Sequence, residues 1–335
     1  MSDVALSVLD HASIAEGSTP GDALRSAREL AQHAERLGYK RFWLSEHHNM
    51  QAIASAATSV SLGFIAEGTS TIRIGAGGVM LPNHSPLVIA EQFGTLESLY
   101  PGRVDLGLGR APGTDPRTMM ALRRDHSASS TFPNDVQELQ AYFEPAEPGQ
   151  PVRAIPGEGL RVPLWILGSS LFGAQLAAQL GLPYAFASHF APDALHEALK
   201  AYRTAFQPSQ QSEEPYAMAG VNAFVADTDE EAQRLFTTMQ QAFLGTLRGA
   251  RGRLRPPVEN LDTAWRPGEK ERLDHMLRYS FVGSPETVRR RLELFVADTG
   301  VDELMVSSMI YDQKARLRSF ELLAELADLK RPDQG

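Results

Sequence analysis

Between Arg41 and Asn49 the chain reads Arg-Phe-Trp-Leu-Ser-Glu-His-His-Asn, an aromatic and apolar run that passes directly into one carboxylate and two imidazoles. Phe42, Trp43 and Leu44 have the character of a buried strand, whereas Glu46, His47 and His48 are groups that a core does not accept without partners. Such a change marks a strand that ends at a site. Histidine changes charge nearest neutral pH, so the chemistry offered is acid–base catalysis, with His47 and Glu46 as the candidate residues. Two other readings compete. A metal site is disfavoured, because adjacent residues of an extended chain face opposite ways and no second histidine follows at helical spacing. A structural histidine paired with the neighbouring carboxylate is the remaining alternative.

A second group of residues points to an anion. Ser169 and Ser170 precede a helix that starts at Leu171, where free backbone N–H groups and the helix dipole favour a phosphate; Arg110 can clamp the same group with two N–H bonds. For Ser170 alone a plain helix cap is the competing reading. Glycine-rich turns invite a dinucleotide site, but Gly107-Leu-Gly-Arg-Ala-Pro-Gly113 has its third glycine one residue late, and neither it nor 75–80 opens a helix after the first strand. Residues 168–173 miss the serine nucleophile elbow by one position, and no Walker motif is present. Arg110 and the two serines together suggest a phosphorylated cofactor.

These residues are brought together by alternating strands and helices. The pattern predicts strands at 5–9, at Phe42-Trp43-Leu44, and at 72–76, 104–108, 164–167, 184–187, 217–225 and 303–307. Helices are expected between them, including 53–67, rich in small residues, and 86–99. Eight strands, each followed by helix and with no second compositional regime, predict one closed (β/α)8 TIM barrel over residues 1–335. Active sites of such barrels lie at the carboxyl ends of the strands. On that rule Asp10-His11, Glu46-His47-His48, Gly77-Gly78, Gly109-Arg110, Ser169-Ser170 and Ser188-His189-Phe190 converge. Residues 144–163 read as a surface excursion. The arginine-rich, proline-containing stretch 246–268 reads as an insertion between strands seven and eight, expected to be a mobile lid on the catalytic face.

Composition narrows the function classes. A chain of 335 residues with 43% hydrophobic and 22% charged residues can bury a large core, so disorder is not expected. The formal charge of -9 disfavours a nucleic-acid surface. With no cysteine there is no disulfide, thiolate metal site or cysteine nucleophile. No leader pattern and no apolar run of about 18 residues is seen, which gives no membrane span and the cytoplasm as the expected location.

Four stretches carry a family resemblance: Glu46-His-His-Asn49, Ile74-Gly-Ala-Gly-Gly-Val-Met-Leu-Pro-Asn-His84, Gly102-Arg-Val-Asp-Leu-Gly-Leu-Gly-Arg-Ala-Pro-Gly113 and Leu167-Gly-Ser-Ser170. Over nearly its whole length the chain resembles the bacterial luciferase-like flavin monooxygenases, and most nearly their branch of uncharacterised luciferase-like oxidoreductases. The resemblance implies a barrel that takes reduced FMN from a separate NAD(P)H:flavin reductase and uses O2 to oxygenate a small organic substrate. It implies Arg110 and Ser170 at the phosphate, a cis peptide at Gly77-Gly78 under the isoalloxazine, and Glu46 and His47 at the reactive face. Gly173 departs from the pattern. It stands where a phosphate-binding hydroxyl is often found, so that contact falls to its backbone N–H or is absent. Small residues in 53–67 and the resemblance both point to a homodimer through 53–67 and 86–99. Hydride transfer with a deazaflavin, which related barrels employ, is the alternative activity, and a flavin-holding protein without turnover is a third.

Overall fold

The first β/α step shows how the sequence builds the repeat. In the computed structural model, which describes residues 4–330, β1 (Ala5–Asp10) is followed by α1 (Pro20–Leu37). Thr19 and Asp22 close a capping box at the start of α1, and Pro20 occupies its first turn. Its buried face is Ala23, Ala27, Leu30, Ala31, Ala34 and Leu37, at helical spacing. Gly38, at φ 87°, ends the helix in the left-handed conformation and turns the chain into β2 (Arg41–Leu44).

The same step recurs around the molecule: α2 (Thr58–Glu67), β3 (Arg73–Met80), α3 (Pro86–Leu99), β4 (Val104–Gly109), α4 (Pro116–Ala121) and α5 (Phe132–Phe143). It continues with β5 (Leu164–Gly168), α6 (Leu171–Leu180), β6 (Tyr184–Phe186), α7 (Leu195–Ala205), β7 (Ala217–Val225) and α8 (Asp229–Leu247). The last elements are α9 (Glu269–Met276), β8 (Ser280–Gly283), α10 (Pro285–Thr299), β9 (Glu303–Ser307) and α11 (Gln313–Leu326). Strands β1 to β7 pair in order, all parallel, and β9 pairs with both β7 and β1, so eight strands close the TIM barrel that the sequence predicts.

Two details differ from the sequence reading. Residues 280–283 form β8, a ninth strand, which pairs with the outer end of β7 through Asn222↔Ser280 to Val225↔Gly283. Four residues between two helices carry too little periodicity to announce a strand. The helix expected from 53 begins at Thr58, and Ile53 instead makes an isolated bridge to Ser13. Ala54, Ala56 and Ala57 therefore precede the helix and are not on it. Residues 144–163 carry no helix or strand, as expected.

The two ends of the barrel are chemically unlike. At the amino ends of the strands, Arg41 donates to Glu303 (Nε–Oε1 2.7 Å) and to Asp105 (Nη1–Oδ2 2.6 Å), and all three are buried. Arg73 also pairs with Asp105, at 2.6 Å, so the barrel is closed at this end by interlocked charges. At the carboxyl ends the strands open into a cavity. The insertion after α8 lies at this end: Leu254 is buried and exchanges backbone hydrogen bonds with Ile14 and Glu16, just beyond β1. Among the described residues no helix is long and apolar enough to cross a membrane.

Candidate active site

The cavity collects residues from most of the strand ends: Leu9 and His11 from β1, His47 from β2, Gly77 and Gly78 from β3, and Gly109 and Arg110 from β4. Ser169, Ser170 and Gly173 come from the β5–α6 turn, and Ala185, His189, Met218, Gly220 and Met305 complete it. Of the residues singled out from the sequence, His47, Gly77, Gly78, Arg110, Ser169, Ser170 and Gly173 line this one space. Glu46 does not.

One end of the cavity is built for an anion. Ser170 caps α6 by position, yet its side chain makes no capping hydrogen bond, so the first-turn N–H groups of α6 are left without that partner. The Arg110 guanidinium lies 4.0 Å above the Phe172 ring, and among the described residues no carboxylate is within ion-pair distance of it. A cation held by an aromatic face beside a helix start suits a phosphate.

The adjoining wall is bare of side chains. The Gly77–Gly78 peptide is cis, as the resemblance implies, and sits where the β3–β4 register shifts between Ala76 and Val79. A Cβ on Gly78 would come within 2.7 Å of the Gly107 carbonyl oxygen, and one on Gly77 within 2.8 Å of Leu9 Cδ1. At Gly78 the clash is with backbone and only glycine fits, whereas at Gly77 a side chain would have to push the end of Leu9 aside; both leave bare backbone on the cavity wall. These residues could hold a flat-ringed, phosphorylated cofactor such as FMN: Arg110, Ser169 and Ser170 would take the phosphate, and the Gly77–Gly78 backbone would leave room for the ring.

Three histidines furnish the other end. Burial, helped by the His11 ring nearby, pushes the His47 imidazole down to about 4. His189 is pushed down to about 3, again mainly by burial. His11 is lowered by burial against the opposing pull of Asp10. All three are neutral at pH 7. His11 is held at both ring nitrogens, Nδ1 2.8 Å from Ser45 Oγ and Nε2 3.4 Å from Ser307 Oγ, and its ring centroid is 6.2 Å from that of His47. His47 has no such anchor: its Nδ1 is buried without a partner.

Glu46 turns away from this cavity. One oxygen, Oε1, accepts from His48 Nε2 at 2.8 Å and from His84 Nε2 at 2.7 Å, and the carboxylate is 2% exposed. Alternation along the extended chain puts Glu46 and His48 on one side and His47 on the other. His84, 38 residues further along, is a partner that spacing could not reveal. The three ligand-type atoms lie within 4.8 Å of one another. Ligands of a tetrahedral zinc stand about 3.3 Å apart, given bonds near 2.05 Å, so contacts of 2.7 and 2.8 Å are those of a hydrogen-bonded clamp. The clamp ties the loop after β2 to the loop before α3.

The model of the luciferase-like monooxygenase family matches residues 4–303. The chain belongs to that family. It is 54% identical to the luciferase-like monooxygenase of Escherichia coli (strain K12), covering 97% of each chain. An N-acetyl-S-alkylcysteine monooxygenase of Bacillus subtilis (strain 168) is 37% identical over 69% of this chain and 70% of its own length. Among solved structures, the crystal structure of apo-MsnO8 superposes with a TM-score of 0.92 at 39% identity, covering 98% of this chain and all of the other. The fold alone is shared with an FMN complex of the oxygenating constituent of 3,6-diketocamphane monooxygenase (TM-score 0.74, 18% identity, 99% and 100% of the chains). It is shared likewise with an F420-dependent secondary alcohol dehydrogenase (TM-score 0.69, 17% identity, 97% and 99%).

Proposed function

We propose that this member of the family is the oxygenase component of a two-component monooxygenase, using reduced FMN from a separate NAD(P)H:flavin reductase and O2 to oxygenate a small organic substrate. The observation that carries this reading is one cavity in which Arg110, without a carboxylate partner among the described residues, the uncapped start of α6 and the bare Gly77–Gly78 backbone stand together. Bound reduced flavin supplies the activation of O2. The chain's own part is to hold the phosphate, leave room for the ring, keep water out with apolar walls, and exchange a proton at His47. Gly173 would contribute by its backbone N–H in the first turn of α6, as it has no side chain to offer.

With a flavin reductase, NADH, FMN and O2 present, product should form only when the chain and its substrate are both added. Aldehydes, sulfonates, aromatics and thioethers, the last after the Bacillus relative, are the compounds to screen by mass spectrometry. Substrate oxidation that needs deazaflavin and no O2 identifies the hydride-transfer alternative; flavin binding without any turnover identifies the carrier.

Arg110→Ala tests the phosphate site directly. Charge-assisted hydrogen bonds contribute about 1.5 to 3 kcal/mol, so affinity for reduced FMN should fall by roughly 10- to 100-fold in an anaerobic titration. An unchanged affinity would move the phosphate elsewhere. Assembly as a homodimer through α2 and α3 belongs to the same reading, supported by the exposed apolar side chains Val60, Phe64 and Val88 on those helices. A monomer in light scattering at micromolar concentration would remove it.

A further inference from the structure

Ser188-His189-Phe190 stands out in the sequence as a polar interruption at a strand end, and the oxygenase reading gives it no task. In the structure His189 is fixed with care. Asn222 Nδ2 donates to the His189 carbonyl at 2.7 Å, and Ser188 Oγ donates to the Gly220 carbonyl at 2.6 Å. The ring packs so closely on Gly220 that a Cβ there would lie 2.3 Å from Nδ1, and Phe190 meets it edge-on with centroids 4.7 Å apart. Nδ1 is buried and without a partner, as it is in His47. Both rings line the cavity and neither makes a side-chain hydrogen bond among the described residues. Nε2 is therefore the nitrogen that each ring offers to a ligand.

The rest of the lining defines what that ligand can be. Among the described residues, Arg110 and the three histidines are its only titratable groups, and no carboxylate is among them. A substrate ammonium would be buried without a counter-charge. An anion would find its cation, Arg110, at the phosphate end. Leu9, Trp43, Ala185, Met218 and Met305 make the remaining wall apolar. Two neutral imidazoles in such a wall are left unsatisfied by a hydrocarbon and are matched by a group that gives or takes one hydrogen bond.

We infer that His189 is a second substrate-contacting residue, and that with His47 it selects a compact apolar molecule bearing an uncharged hydroxyl, carbonyl or amide. This rests on the oxygenase reading for its meaning, but its test is one of binding and needs no turnover. Three probes share one ring and differ in one group: 4-methylphenol, p-xylene and the 4-methylbenzylammonium ion. Their affinities are measured on the FMN-loaded protein and on the protein alone, by calorimetry, and the histidine ring nitrogens are followed by 15N NMR.

Wild-type protein should bind 4-methylphenol about five- to tenfold more tightly than p-xylene, the scale of one net hydrogen bond, and the ammonium ion most weakly. The His189 Nε2 resonance should move with 4-methylphenol and not with p-xylene. In His189→Leu the preference should fall below about twofold, and p-xylene should bind at least as well as before. In His189→Gln, whose amide nitrogen reaches the place of Nε2, part of the preference should return, and FMN affinity should be unchanged in both variants. Equal binding of the phenol and the xylene, failure of the phenol to bind, a preference that survives in His189→Leu, or tightest binding of the ammonium ion would each overturn the inference. Loss of flavin binding in the wild type would instead count against the oxygenase reading, and the probe series on the protein alone would still decide this one.

Discussion

His47→Ala should lower the oxygenation rate by on the order of 100-fold or more, the usual contribution of one acid–base group, while reduced FMN binds as in the wild type. His47 ends β2 inside the cavity, whereas the phosphate end is built from β4, β5 and the start of α6. Burial holds its imidazole down to about 4, so at neutral pH it meets the substrate uncharged and ready to accept a proton. A neutral base of that kind loses function only as the pH falls toward 4, well below the ordinary histidine range. The rate, measured at saturating reduced FMN with a confirmed substrate, should therefore be flat from pH 7 down to about 5.5 in its dependence on this group. His47→Ala as active as the wild type would leave the site without its proposed acid–base residue.

Glu46 belongs to a different part of the argument. Its carboxylate clamps His48 and His84 and does not line the cavity, so a role for it would be to position the backbone that carries His47. The alternation that separates the two residues was present in the sequence, and assigning both to the reactive face overlooked it. The barrel itself was legible for a simple reason: along its eight strands and most of its helices, apolar patterning and capping residues such as Thr19, Gly38 and Thr228 agree. What escaped was short or distant. β8 has four residues. His84 joins Glu46 only through the fold, and the interplay of His11, His47 and His189 depends on three strand ends meeting in one low-dielectric space. The sequence named those strand ends, but only their proximity turns separate imidazoles into a neutral cluster.

At the opposite end of the barrel, Glu303→Gln should destabilise the fold by about 3 kcal/mol or more, the scale for removing one partner from a buried ion pair. Glu303 is fully buried, and its carboxylate accepts from Ser7 Oγ, from Arg41 Nε and Nη2 at 2.7 and 3.1 Å, and from Tyr216 OH at 2.8 Å. The Arg41 guanidinium can only donate, so a glutamine amide loses at least one of its two Arg41 bonds, and its NH2 is satisfied only if the Ser7 or Tyr216 hydroxyl turns from donor to acceptor. The substitution also leaves Asp105 as the one carboxylate paired with Arg41 and Arg73, and leaves Lys40 without its carboxylate partner. Shape is nearly conserved, so a cavity is not the cause of the loss. Arg41→Met combined with Glu303→Gln should cost less than the two single losses added together, because it removes the stranded guanidinium as well as the acid. Urea unfolding followed by tryptophan fluorescence reads this directly, since the Arg41 guanidinium lies 4.8 Å from the Trp165 ring centroid. A loss under about 1 kcal/mol for Glu303→Gln, or strict additivity in the double variant, would show that interlocked charge does not hold this end of the barrel closed. The cavity end should respond little to these changes, because the strands that join the two ends are packed along their whole length and each end has its own set of partners.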